Sequence, residues 1–180
     1  TLGEAEADNA AVIFTINTFG GRVDAATDIK DLMVRASVPV YAFVSERAWS
    51  AGALITLAAK DIAMKPGSSI GAAEPQPTDE KTVSALRAEF EATAERAGRD
   101  PKIAAAMVDA DVEIEDLIEK GKILTLRASQ ALALGYADVL AENLTEVMVA
   151  FGLEGLPVEE KQPNWSERLA RLITEPTISS

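Results

Sequence analysis

The 180 residues include 29 aspartates and glutamates against 17 lysines and arginines, a formal net charge of −12 at pH 7. Nucleic-acid binding needs a basic face, so this acidic balance argues against nucleic acid as a partner. The chain has no histidine and no cysteine, which excludes a Ser–His–Asp triad, disulfides, a thiol nucleophile and metal sites built on imidazole or thiolate. If the protein performs acyl transfer, its base must be a lysine or a carboxylate.

Strands and helices alternate along the first part of the chain. The apolar runs 11–16 and 38–44 predict buried strands, the first covered on both faces. A helix follows each run, the second over 50–59, and a short strand is expected over 61–65. This β–α–β–α–β order with short connections predicts a parallel sheet with right-handed crossovers.

The later elements are less regular. Residues 66–77 are rich in glycine, proline and serine and predict a loop, and 79–97 predict an amphipathic helix. Two alternating runs around the turn 119–121 predict a hairpin or two edge strands. A short helix ending at Gly135, a short strand and a last helix complete a domain that we expect over residues 1–157.

The tail, residues 158–180, is predicted to be a linker followed by an amphipathic segment. Its apolar stripe consists of Trp165, Leu169, Leu172 and Ile173. The segment either docks on the domain or on a second copy, or approaches a membrane span. Since the chain begins almost at its first strand and has neither a signal peptide nor a long apolar run, we expect it to be a soluble excerpt of a longer protein.

Ser50 stands between a predicted strand and the apolar helix of "RAWSAGALITLAA". A serine there is commonly an N-cap. It is equally placed to be a nucleophile, because Ala51 and Gly52 leave space around the hydroxyl and the helix N-terminus favours a developing negative charge. Both interpretations stay open on local sequence.

Two other features have the same double meaning. Gly20 and Gly21 either form a turn or bring bare backbone N–H groups close to a substrate carbonyl. Lys122 is either a turn lysine beside Gly121 or a base, because it directly precedes an apolar run and its side chain is expected to be partly buried. Burial would lower the pKa of a lysine and favour the neutral amine that a base requires.

Three ordered blocks resemble the protease domain of the NfeD family over about residues 11–150: "INTFGGRVDAA", "AWSAGALITLAAKDIAMKPGSSIGAAEP" and "KGKILTLRASQALALGYAD". The resemblance implies a ClpP/crotonase-like α/β fold of stacked ββα units with a mainly parallel sheet. It implies an ATP-independent, membrane-bound serine endopeptidase with a Ser–Lys dyad, in which Ser50 is the nucleophile and Lys122 the base. The oxyanion hole would be formed by the backbone N–H groups of Gly21 and Ala51.

The resemblance also implies a substrate groove, and it calls for no cofactor and no metal. The groove residues would be Phe19, Gly20, Ser69, Ile70 and Gly71. The family usually has proline where this chain has Phe19, which would either narrow the cleft or offer an apolar subsite.

Further expectations concern partners and location. The family resemblance implies a polypeptide substrate with a hydrophobic segment, a stomatin-like partner protein and a homo-oligomer, dimer or trimer. It places the full-length protein in the cytoplasmic membrane through segments outside this chain, with the protease domain on the outer side. Two alternatives remain: a non-enzymatic scaffold of the same fold that binds a membrane partner, and a crotonase-type acyl-CoA hydratase or isomerase.

Overall fold

The computed structural model describes residues 1–161, so the predicted amphipathic stripe of the tail lies outside the described residues. Seven helices and six strands occur in that part of the chain. The helices are α1 (Leu2–Ala7), α2 (Val23–Arg35), α3 (Ala51–Leu57), α4 (Glu80–Arg96), α5 (Pro101–Val108), α6 (Ala128–Ala133) and α7 (Leu144–Ala150). The strands are β1 (Val12–Thr18), β2 (Val40–Trp49), β3 (Ile62–Met64), β4 (Ser69–Gly71), β5 (Thr125–Arg127) and β6 (Val139–Leu140).

The long strand β2 organises the sheet. Its first half pairs with β3, through Ala42 and Ile62, and its last residues pair with β4, through Arg47 and Ser69. β1 runs parallel to β2 along its other edge, and β6 extends the sheet beyond β3. Every one of these pairings is parallel; β5 alone is antiparallel, against β4. The predicted parallel sheet is therefore confirmed, with β2 shared between two groups of short strands.

The alternation of side chains along β2 explains how both faces of the sheet are covered. Val40, Ala42 and Val44 belong to the main core, which α3, α4, α5 and α6 also supply. Phe43 points to the opposite face, where a smaller cluster includes Val147 of α7. β1 is less covered than predicted: only its Ile16 is fully buried, because within residues 1–161 this strand pairs with β2 alone.

Three local predictions differ from the structure. Residues 66–77 contain the strand β4 as well as a loop, and α5 forms in a segment for which no helix was predicted. The predicted hairpin around 119–121 is wrong: the first run contributes an isolated bridge between Ile114 and Ile118, and only β5 forms a strand. Charged residues dominate the first run and leave it little apolar surface with which to join the sheet.

No helix among residues 1–161 is long and apolar enough to cross a membrane.

Candidate active site

Ser50 occupies the one residue between the end of β2 and the beginning of α3. Its φ of 53° and ψ of −123° lie in a region that is costly for any residue other than glycine. The Ser50 side chain makes no capping hydrogen bond to α3. The N-cap interpretation therefore fails, and a strained strand-to-helix turn presents a half-buried hydroxyl that does not serve the helix.

The loop after β1 lies directly against Ser50. Gly20 has a φ of 129°, and a β-carbon added to it would stand 2.7 Å from Ser50 Cβ and 3.2 Å from Ser50 Oγ. The hydroxyl of Thr18 holds this loop, since it accepts a hydrogen bond from the Gly20 N–H and donates one to the Gly20 carbonyl, both at 3.1 Å. Only a glycine at position 20 allows the loop backbone to approach the serine so closely.

A second close approach fixes Ser50 from the other side. The Ser50 N–H donates to the Gly71 carbonyl at 2.9 Å, which ties the turn to the end of β4. Gly71 in turn has a φ of 131°, and a β-carbon there would stand 2.4 Å from the carbonyl oxygen of Leu124. The backbone around Ser50 is thus packed from β1, β4 and the segment before β5.

Two backbone N–H groups, one on the residue after Gly20 and one on the residue after Ser50, have no hydrogen-bond acceptor among the described residues. They are the N–H groups of Gly21 and Ala51. The Ala51 N–H opens α3, whose first turn carries a partial positive charge. Fixed donors of this kind stabilise the oxyanion of a tetrahedral intermediate.

An aromatic cluster lies beside this turn. The rings of Phe19 and Trp49 meet edge to face with centroids 5.5 Å apart, and the Arg47 guanidinium lies 4.4 Å from the Phe19 centroid. Trp49 Nε1 donates to Ser69 Oγ at 2.8 Å. Sequence reasoning named Phe19 and Ser69 but missed Arg47 and Trp49, although their alternate positions at the end of β2 place them on one side of the strand just before the serine.

The other predicted groove residue has a different environment. The Ile70 side chain is fully buried in the core, so it could offer a substrate only its backbone.

Lys122 is not partly buried, contrary to the sequence-based expectation. Its side chain is 62% exposed, and its Nζ donates to Glu119 Oε2 at 2.6 Å. This hydrogen bond and the lysine charge hold the pKa of Glu119 below its ordinary range. The structure therefore brings Ser50, Gly20, Gly71 and the Phe19 cluster together, and gives the Lys122 amine a carboxylate partner instead.

The profile of the NfeD1b N-terminal domain matches residues 1–161. The chain belongs to this family. It is 39% identical over 181 residues to Membrane protein NfeD1b of Bacillus subtilis and 27% identical over 205 residues to Membrane-bound protease PH1510 of Pyrococcus horikoshii. Each alignment covers 97% of this chain, and the chain spans 41% and 44% of those relatives.

Solved structures give the same fold. A lysine-to-alanine mutant of the 1510-N membrane-bound stomatin-specific protease, in complex with a substrate peptide, has a TM-score of 0.77 at 27% identity; the match covers 96% of this chain and 87% of that one. A serine-to-alanine mutant of that protease has a TM-score of 0.71 at 30% identity, with coverage of 82% and 72%. ClpP1 from Listeria monocytogenes has a TM-score of 0.63 at 20% identity, covers 85% and 83%, and shares the fold alone. The predicted ClpP-like α/β fold is confirmed.

Proposed function

We propose that this chain is a serine endopeptidase domain in which Ser50 is the nucleophile. The observation that carries the proposal is the Ser50 turn itself: a strained, uncapped serine against which the Gly20 backbone is packed. Strain of this kind persists only where the surrounding structure imposes it. The protease names of two similar structures, one a serine mutant and one a lysine mutant bound to a substrate peptide, support the same conclusion.

The proposed reaction is an acyl transfer in two steps. Ser50 Oγ attacks the peptide carbonyl carbon while a neutral lysine amine takes the hydroxyl proton. The N–H groups of Gly21 and Ala51 stabilise the oxyanion, and the protonated lysine then gives its proton to the leaving amine. Water attacks the acyl-enzyme by the reverse route, which frees Ser50 and releases the second product.

Two lysines compete for the role of base. Lys122 is the residue that the family resemblance indicates, but its exposed amine already donates a hydrogen bond to Glu119 Oε2. Lys81, in the first turn of α4, was not singled out from the sequence; within residues 1–161 its exposed side chain has neither an ion pair nor a hydrogen bond.

The chain order of the relative favours Lys81. In the 1510-N protease the mutated lysine follows the mutated serine by 41 residues. Here Lys81 follows Ser50 by 31 residues and Lys122 follows it by 72. The alignment to the PH1510 protease needs 205 residues to cover 97% of this chain, so the relative carries insertions, and a Ser–Lys spacing that is shorter in this chain fits them. Lys81 meets this condition and Lys122 does not.

Substrate, partner and location belong to the same proposal. The 1510-N relative is named stomatin-specific, and we extend to this chain a stomatin-like partner and a polypeptide substrate with an apolar segment. We also propose that the domain works as a homo-oligomer outside the cytoplasmic membrane, anchored by segments beyond this chain; both curated relatives are named as membrane proteins.

The deciding experiment digests a mixed-sequence peptide library and reads the products by mass spectrometry, with a fluorophosphonate probe as a second readout. Ser50→Ala should abolish both cleavage and labelling. Of the lysine variants, Lys81→Ala should lower cleavage by about a hundredfold or more, the scale of a lost general base, while Lys122→Ala should change it less than twofold.

Lys102→Ala is the matched control, because Lys102 is an exposed lysine on α5. Cleavage that persists in Ser50→Ala would overturn the protease proposal. A loss confined to Lys122→Ala would return the base to the residue indicated by the family resemblance.

A further inference from the structure

Phe19 is a large apolar side chain that stays on the surface beside the nucleophile. It is 69% exposed, the largest exposed fraction among the large apolar side chains of residues 1–161. It directly precedes Gly20, whose backbone touches Ser50. Phe19 is therefore a near neighbour of the position at which a substrate carbonyl would meet the Ser50 hydroxyl.

The ring is held in place despite its exposure. The Arg47 guanidinium lies 4.4 Å from the Phe19 centroid and 5.7 Å from the Trp49 centroid, so one cation contacts both rings. Trp49 meets Phe19 edge to face and is anchored by its hydrogen bond to Ser69. Such contacts contribute more than the apolar area that they bury, and here they fix Phe19 in advance of any ligand.

The anchor of the cluster is the sheet itself. Arg47 lies opposite Ser69 in the parallel register of β2 and β4, and Trp49 lies opposite Gly71. Gly71 also accepts the hydrogen bond from the Ser50 N–H. Arg47, Trp49 and the nucleophile therefore share one backbone unit, and Phe19 is held against that unit by its ring contacts.

We infer that Phe19, positioned by Arg47 and Trp49, is the specificity-determining residue that selects a large apolar side chain at one substrate position next to the scissile bond. The inference rests on the proposed protease function and deepens it. Covering the free surface of a fixed, solvent-exposed ring with an apolar side chain is favourable, and a ring that is already fixed adds little ordering cost of its own. Small or polar side chains at that position leave the Phe19 ring exposed to solvent.

Arg47 adds a second, opposite selection. Among residues 1–161 its charge is paired only with the neighbouring Glu46, at 3.1 Å, and the guanidinium lies at the Phe19 ring that the substrate side chain would cover. A lysine or arginine of the substrate would meet a like charge there, although a chain of net charge −12 attracts basic peptides elsewhere. The same substrate position should therefore reject basic side chains.

The test is a positional cleavage profile from the mixed-sequence peptide library. The wild type should enrich Leu, Ile, Met or Phe about tenfold over Ala and Asp at a single position flanking the cleaved bond, and should deplete Lys and Arg there. Phe19→Ala should remove the apolar enrichment at that position alone, by raising KM for apolar peptides with kcat nearly unchanged. Phe19→Leu should restore most of it. Arg47→Met should readmit Lys and Arg at that same position.

Leu32→Ala is the control, since Leu32 on α2 is also a large exposed apolar side chain, at 59%. An unaltered profile in Phe19→Ala, or an equal loss at every position, would overturn the inference while leaving the protease intact. If instead no Ser50-dependent cleavage occurs in any pool, the proposed function itself fails and the specificity inference with it.

Discussion

The Ser50 turn and the Lys122 loop are built in opposite ways. Around Ser50, three backbone segments come within contact distance, and the glycines at positions 20 and 71 leave room for this approach. Around Lys122, the chain is held by a backbone hydrogen bond from the Gly121 N–H to the Ala110 carbonyl, and the lysine side chain forms an exposed ion pair. The Ser50 side chain is therefore positioned by close backbone packing, and the Lys122 side chain by a solvated contact.

This difference shows which sequence motifs predict a backbone geometry. The glycines of the Ser50 turn are visible in the sequence because the close approach of backbones demands them. A lysine has no such requirement, because its long flexible side chain can reach a partner from many backbone positions. The close packing around Ser50 could be predicted from the chain, whereas the exposure of Lys122 could not.

The largest expected effect on stability comes from two glycine substitutions, one in each region. Gly71→Ala and Gly121→Ala both place a β-carbon on a residue with positive φ, at 131° and 88°. At Gly71 the new atom also meets the Leu124 carbonyl, whereas at Gly121 nothing lies within 4 Å. We expect Gly71→Ala to lower the free energy of unfolding by about 3–5 kcal/mol and Gly121→Ala by about 1–2 kcal/mol.

Urea denaturation of the two variants measures the difference. A Gly71→Ala protein that does not fold satisfies the expectation as well, provided that Gly121→Ala folds. Equal losses in the two variants would mean that the backbone around Ser50 is no more tightly packed than the loop.

The same physics explains how much of the fold the sequence revealed. The apolar run 38–44 predicted the first half of β2, because a strand segment buried on both faces has to be apolar. The second half of β2, which carries Glu46 and Arg47, was not predicted. The strand β4 was not predicted because its three residues lie in a glycine- and serine-rich stretch and form a strand only through pairing with β2. Helix α5 escaped because its alanine-rich sequence buries almost all of its surface and shows no polar face.

The candidate site also contains residues that the sequence predicted and residues that it did not. Ser50 and Gly20 were assigned together, and the structure places them in contact. Arg47 and Trp49 were missed because their role depends on ring contacts with residues of other segments. Alternate spacing along one strand does not predict such contacts. Lys122 was expected to be partly buried on the strength of the apolar run after it, yet the side chain points to solvent and to Glu119.

A smaller and more specific effect concerns strain at the nucleophile. Ser50→Ala keeps the β-carbon in the unfavourable φ region, while Ser50→Gly removes it. The relief of about 1–3 kcal/mol is partly offset by the greater entropy of glycine in the unfolded chain, so Ser50→Gly should be more stable than Ser50→Ala by about 1 kcal/mol. Both variants lack the hydroxyl and should be inactive, which separates stability from catalysis.

Thermal unfolding at one pH compares these two proteins directly. If Ser50→Ala proves to be as stable as Ser50→Gly, the turn stores no strain, and the strongest structural support for a nucleophile at this position is lost.

The smallest expected effect concerns the segment around Lys122. Glu119→Gln removes the carboxylate that pairs with Lys122 and whose pKa is lowered by it. A lowered carboxyl pKa contributes stability above the pKa of the unfolded state, about 4.3, and that contribution disappears as the pH falls through the folded-state pKa. Because the pair is exposed and screened by solvent, the melting temperature at pH 7 should shift by no more than about one degree.

The informative readout of Glu119→Gln is its pH–rate profile for library cleavage. If the base is Lys81, the acid limb of the variant superimposes on that of the wild type, since the substitution touches a lysine that takes no part in the reaction. A displaced acid limb at unchanged stability would show that Lys122 carries the reacting proton and would overturn the assignment of Lys81 as the base.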